Sequence, residues 1–200
     1  MMQRKIATLV LAAAVLLGAG TGAVATQVRA DEDKAPAGGE ATAGPTAPED
    51  FEITPGAVGP VEAGMTKDEA LATGYLEADL PPVVDGCPTL PLAWKAAYAE
   101  VFDVLTAGNG DILSIGVRGG ATTAEGFGVG TTWGELKGSV DEPVEAGFGG
   151  QSGAFVHDPE NAGWIGFLLD ASPAGLTDDS TVTFVEVTKG ARPDLQRSGC

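Results

Sequence analysis

The sequence predicts an α+β protein made of two tandem units, each a short capped helix followed by an antiparallel β-hairpin sheet. Three observations carry that expectation. Gly64, Thr66 and Glu69 recur as Gly130, Thr132 and Glu135, and self-similarity of this kind marks a duplicated supersecondary unit. Both copies read Thr-x-x-Glu, the capping box in which a hydroxyl and a carboxylate satisfy backbone donors at a helix start. Each is followed by β-favouring segments separated by Gly- and Asn-rich turn signals.

In chain order, Arg4 and Lys5 precede an apolar run over 6–25, the layout of an export signal spanning residues 1–30, with small-residue cleavage sites after Ala25 or Ala30. The run nears spanning length, so an uncleaved signal anchor is the alternative, although its Ala and Gly content makes it weakly hydrophobic. Residues 31–54 hold Ala, Gly, Pro, Thr and acids, with no large apolar residue before Phe51; such a stretch reads as a disordered acidic tether. The first unit then covers 55–120, and the second covers 121–200 with a C-terminal tail.

Within the units, Thr66 and Glu69 cap a helix over about 67–73 that stops at Gly74, and Thr132 and Glu135 cap one over about 133–139, weakened by Gly134 and Gly138. The segment 94–105 has Trp94, Tyr98 and Phe102 at helical spacing but β-favouring residues at its end. Its counterpart in the second unit, 163–169, suits a strand, so both read as strands. Asn109-Gly110 supplies hairpin chemistry before a strand from Ile112, and the final strand begins near Thr181.

The Gly-Met-Thr-x-x-Glu-Ala run from Gly64 to Ala70, followed by a helix and a small antiparallel sheet, resembles the module of SmpA/OmlA-type outer-membrane lipoproteins and of the β-lactamase inhibitory protein, the latter a tandem of the same unit. The second unit departs from the motif with Thr131 in place of Met, and no lipid-anchor cysteine is present. The resemblance implies a non-catalytic scaffold or inhibitor that binds other proteins across its sheet, and no contact residue carries over.

Charge and composition narrow the partners. The whole chain carries −17, and removing residues 1–30 takes away Arg4, Lys5 and Arg29 and no acid, leaving −20. Such a surface repels nucleic acid and anionic headgroups, so neither nucleic acid nor a membrane is an expected partner beyond the signal anchor. Cys87 and Cys200 in an exported chain read as a disulfide by default, the alternative being free or intermolecular thiols.

Chemistry-bearing motifs are sparse. Ser152 precedes the single histidine, His157, by five residues and lacks a nucleophile elbow. One His and two distant Cys exclude a zinc centre, and Asp178-Asp179 and Asn109-Gly-Asp111 read as turns rather than calcium ligands. The glycines at 119, 120, 126, 128 and 130 lack the lysine of a phosphate loop. Among 28 acids some pair always falls at hydrolytic distance, which leaves a carboxylate hydrolase as the third reading. No metal or cofactor is expected. The first reading is a secreted or envelope interaction module, the second an inhibitor of an extracellular enzyme. If a partner surface exists, Trp94, Trp133, Trp164, Phe127 and Phe148 are its candidate anchors, since aromatics dominate interface energies.

Overall fold

One broad antiparallel sheet, whose strands send alternate residues to its two sides, organises the molecule. The computed structural model describes residues 46–80, 90–146 and 148–195. The predicted signal at 1–30, most of the tether, Cys87 and Cys200 lie outside the described residues. All described residues belong to one compact unit.

A small meander comes first: β1 (Ile53–Thr54), β2 (Ala57–Val58) and β3 (Val61–Glu62). Helix α1 (Lys67–Ala72) follows, then β4 (Leu76–Leu80), β5 (Leu90–Trp94), β6 (Phe102–Thr106) and β7 (Ile112–Val117). Helix α2 (Trp133–Leu136) leads into β8 (Glu142–Ala146), β9 (Ser152–Asp158), β10 (Gly163–Leu169) and β11 (Val182–Lys189). The strands form a three-stranded sheet β1-β2-β3, a two-stranded sheet β4-β5, and a six-stranded antiparallel sheet in the order β6-β7-β11-β10-β9-β8.

This corrects the α+β expectation. The fold is predominantly antiparallel β, and its two α-helices are six and four residues long, too short to form a helical layer. The reason is local. Thr66 and Thr132 each accept from the N–H three residues on and each receive the reciprocal Glu contact, but a cap only starts a helix. The first stops before Gly74 at φ 80°, and the second has Gly134 and Gly138 within two turns of its start. A hairpin does not describe the sheets either, because six strands share one ladder and a third sheet lies within residues 53–62.

Two boundaries also differ from expectation. Residues 95–101 are a turn rather than strand, with Tyr98 N–H on Lys95 O and Phe102 N–H on Tyr98 O. That turn keeps Trp94, Tyr98 and Phe102 on one side, where Phe51 stacks on Tyr98 at 5.7 Å and on Phe102 at 5.5 Å between centroids. Phe51 is only 4% exposed, and the Tyr75 and Tyr98 hydroxyls both donate to Thr46. The packed domain therefore takes in residues ahead of position 55, because one aromatic in the acidic stretch has a core slot to fill.

The same backbone pattern occurs twice. Gly64 N–H donates to Ile112 O and Ile112 N–H to Met65 O; Gly130 N–H donates to Val182 O and Val182 N–H to Thr131 O. Gly64 and Gly130 have φ of 91° and 94°, a conformation that favours glycine. Ala70 and Leu136, each four residues beyond the cap, are both fully buried. The strands that start at Ile112 and Val182 pair with each other, Glu186 opposite Gly116 and Thr188 opposite Ser114. Each also carries a register shift at its start, at Leu113 and Thr183. The main core lies on one face of the six-stranded sheet and includes Ile115, Val117, Ile165, Phe167, Val185 and Val187.

Candidate functional site

The opposite face of the six-stranded sheet is where chemistry-bearing side chains gather. Alternation along the strands assigns it: between the core residues of β11 stand Phe184, Glu186 and Thr188, and on β10 Trp164, Gly166 and Leu168. One row runs across the strands as Asp103, Gly116, Glu186, Gly166 and Phe155. The next runs Leu105, Ser114, Thr188, Trp164 and His157.

Among the described residues this face has no covering layer of helix or sheet; residues after β11 cross it instead. Leu195 is fully buried there with φ 55°, and its N–H donates to Glu186 Oε2 at 2.6 Å. Phe155, Leu168, Phe184 and Leu195 form a second apolar cluster with Trp164 packed against it. Arg192 sits over the Phe155 ring at 4.6 Å. The glycines make room for this: a Cβ on Gly166 would meet Leu195 Cδ2 at 2.9 Å and Pro193 Cβ at 3.0 Å, and one on Gly153 would meet Leu195 Cδ1 at 2.9 Å.

Beside this crossing lies a pocket of about 110 Å³, lined by Asp103, Val104, Leu105, Ser114, Gly116, Phe184, Glu186 and Asp194. Arg118 approaches Asp103 Oδ2 at 2.7 Å, off the direction of a hydrogen bond, so the pairing is ionic. Ser114 is 6% exposed, whereas Leu105, at the rim, is 49% exposed. At the other side of the face, His157 stacks on Trp164 with centroids 3.9 Å apart, and the buried Trp164 Nε1 has no hydrogen-bond partner among the described residues. Next to it, the Asn161 amide holds the Asp158 carboxyl below its ordinary pKa; desolvation opposes this, and the Glu160 and Asn161 N–H groups and His157 assist.

The five aromatics singled out from the sequence do not converge. Trp94 is 2% exposed and its Nε1 donates to Asp103 O, so it is a core residue unable to touch a partner. Phe127 and Trp133 pack against the same core. Trp164 alone reaches the second face, and Phe148 stands 44% exposed in the turn between β8 and β9. Ser152 and His157 lie towards opposite ends of β9, about 16 Å apart at the usual rise per residue, and form no catalytic pair. Among the described residues no three His, Cys, Asp or Glu groups come together to hold a metal ion. Asp103, Ser114, Glu186, Asp194 and the Leu195 crossing have no sequence motif. The one signal is the alternation of Phe184, Glu186 and Thr188 with valines, which marks a strand polar and aromatic on its non-core side.

Comparison with protein-family models, with curated proteins and with solved structures found no match to this chain.

Proposed function

We propose that this is an exported, non-catalytic binding module that engages another extracellular protein through the second face of its six-stranded sheet. One observation carries the reading: that face is crossed, among the described residues, by a short C-terminal segment rather than a packed layer. It leaves Leu105, the neighbouring pocket and the Trp164–His157 stack as contact points. The mixture of apolar rim, aromatic stack and charged groups suits a protein interface. The pocket is well below the roughly 300 Å³ where small-molecule sites begin, and its Asp103 and Glu186 carboxylates are engaged by Arg118 and by the Leu195 N–H, which favours binding over hydrolysis.

Inhibition of an extracellular enzyme is the more specific form of this reading. It is supported by the motif resemblance and by the recurrence of a capped helix followed by four strands, with the last strands of the two sets paired to each other. The test takes residues 31–200, immobilised, and challenges them with secreted hydrolases, β-lactamases included, and with the extracellular proteins of the source culture. A stoichiometric complex that Leu105→Asp abolishes and Phe148→Asp spares supports the reading. Retention of no partner, or a complex indifferent to Leu105→Asp, overturns it; a complex with a non-enzyme removes only the inhibitor form.

A further inference from the structure

The chain itself shows what one part of the second face is shaped to hold. Beyond β11, Gly190 turns the backbone at φ 84°, and Pro193 and Leu195 are buried while Ala191, Arg192 and Asp194 stay exposed. Leu195 fits a notch cut by two glycines: a Cβ on Gly153 would meet its Cδ1, and a Cβ on Gly166 its Cδ2, at 2.9 Å in each case. Phe155, Leu168 and Phe184 complete the apolar wall. The Leu195 N–H reaches Glu186 Oε2 at 2.6 Å. A branched aliphatic side chain and the N–H of the same residue are read together, which is how a site selects a leucine within a polypeptide.

We infer that this notch is the anchor site of the binding face, that Leu195 is its resident occupant, and that a partner protein binds by seating a leucine of its own there once residues 190–195 lift away. The inference rests on the proposed binding reading and names what the face recognises. Arg192 supplies the second feature of the visitor. It lies over the Phe155 ring at 4.6 Å, three residues ahead of Leu195, so a partner segment carrying a cation three positions before its leucine reproduces both contacts. The strongly acidic chain steers such a segment in.

The resident is placed to be exchanged. β11 ends at Lys189, and residues 190–195 belong to no strand or helix, so lifting them breaks no ladder of the sheet and opens less structure than unfolding does. Leu195 has φ 55°, a left-handed conformation that costs a residue with a side chain steric strain. A partner leucine entering from another direction is free of that constraint. Gly190, whose φ favours glycine, stands at the pivot.

The repeat places the notch on one half only. Asp103 stands opposite Gly116, and Gly166 opposite Glu186, the residue equivalent to Gly116 when Ile112 is matched to Val182. The first strand set thus has a carboxylate where the second has bare backbone. One anchor per chain follows, and with it one partner segment per chain.

The test uses the isotope-labelled chain of residues 31–200 and the acetylated, amidated peptide Gly-Ala-Arg-Pro-Asp-Leu-Gln, the sequence of 190–196, followed by amide NMR. Added to Leu195→Ala, whose notch lacks its leucine, the peptide is expected to give saturable shifts at Gly153 and Gly166. It should bind the parent, whose own leucine competes, roughly tenfold more weakly or worse. A peptide with alanine in place of leucine should shift neither glycine. Hydrogen exchange on the unaltered chain needs no variant: the Leu195 N–H should exchange roughly a hundredfold faster, or more, than those of Ile165 and Val185. The inference falls if the leucine peptide does not saturate Leu195→Ala, if the alanine peptide matches it, if parent and variant bind alike, or if Leu195 is as protected as the sheet. Where Leu195→Ala does not fold, the exchange result decides. Should the notch fail while Leu105→Asp still abolishes a partner complex, the anchor is lost and the binding face stands.

Discussion

Replacing Gly166 by alanine inverts an ordinary expectation, and the inversion reports directly on the C-terminal crossing. In a strand interior Gly→Ala is normally worth about 0.5–1 kcal/mol of added stability, because glycine loses more backbone freedom on folding. Here the new methyl would stand 2.9 Å from Leu195 Cδ2, 3.0 Å from Pro193 Cβ and 3.2 Å from Phe155 Cε1. The first approach is closer than real Cβ atoms make and the other two are tighter than most, and overpacking of this kind costs about 1–3 kcal/mol. The expected balance for Gly166→Ala is therefore a net loss of about 1–2 kcal/mol.

Leu195→Ala removes a fully buried side chain. Its cost falls in the range for such truncations, about 2–5 kcal/mol, set by how far the site collapses around the missing side chain. The two changes do not add. Once the Leu195 side chain is truncated the obstructing methyl is gone, so Gly166→Ala in the Leu195→Ala background becomes neutral or stabilising, a coupling of about 1 kcal/mol or more between contacting sites. Urea unfolding of the four proteins, followed by tryptophan fluorescence, measures the cycle. Stabilisation by Gly166→Ala alone, or additivity within about 0.5 kcal/mol, would refute the placement of Leu195 over β10.

Further perturbations probe the elements that frame the face. Thr66→Ala and Thr132→Ala each delete a cap hydroxyl and should each cost about 1 kcal/mol in chemical denaturation. Glu69 titrates below its ordinary pKa because the Thr66 N–H and then its hydroxyl bond the carboxylate; Glu135 does so through the Thr132 hydroxyl and then its N–H. A carboxyl depressed on folding contributes stability above the unfolded carboxylate pKa and loses it as pH falls through the folded value. Glu69→Gln with Glu135→Gln should thus flatten the acid limb of stability against pH and leave its slope near neutrality unchanged. Gly163→Ala is the severe case: its Cβ would fall 2.2 Å from the Pro55 carbonyl oxygen, a backbone atom, for an expected loss of about 3 kcal/mol in the same urea assay. Gly108→Ala, with open space around it, should leave the melting temperature unchanged and serves as the control.

What the sequence disclosed follows the range of the interactions involved. Thr66 with Glu69 and Thr132 with Glu135 form within one helical turn, so four residues carry the whole message, and the two positive-φ glycines ahead of them repeat with it. Helix ends are nearly as local: Gly74 stops the first helix at Ala72, one residue short of the expected end, while the second, read as running to about 139, ends at Leu136. Sheet membership is not local in this sense. The segment 94–105 shows the same limit from the other side. Its helical spacing of aromatics and its β-favouring end are both real: Trp94, Tyr98 and Phe102 do share a side, but they achieve it through a turn between β5 and β6. The partner that fixes that turn, Phe51, comes from a stretch whose composition reads as tether.

The candidate site is the least legible part because it is made where equivalent positions of the two strand sets differ. Repetition rewards sameness, and it picks out Gly64 and Gly130, the two threonines and the two glutamates, all of which hold up the scaffold. The face opposite the core depends on Ser114 standing where the second set has Phe184, and on Gly116 standing where it has Glu186. Gly116 and Glu186 are cross-strand partners on the second and third strands of the six-stranded sheet, so one substitution between copies both carves a hollow and hangs a carboxylate over it. The large aromatics go to the core for the property that makes them good anchors: Trp94 and Phe127 bury apolar area that a partner would otherwise have to cover. On a β scaffold built from two similar strand sets, the residues that break the repeat on the non-core face are therefore the better first guess at function, and here they are Ser114, Gly116, Phe184 and Glu186.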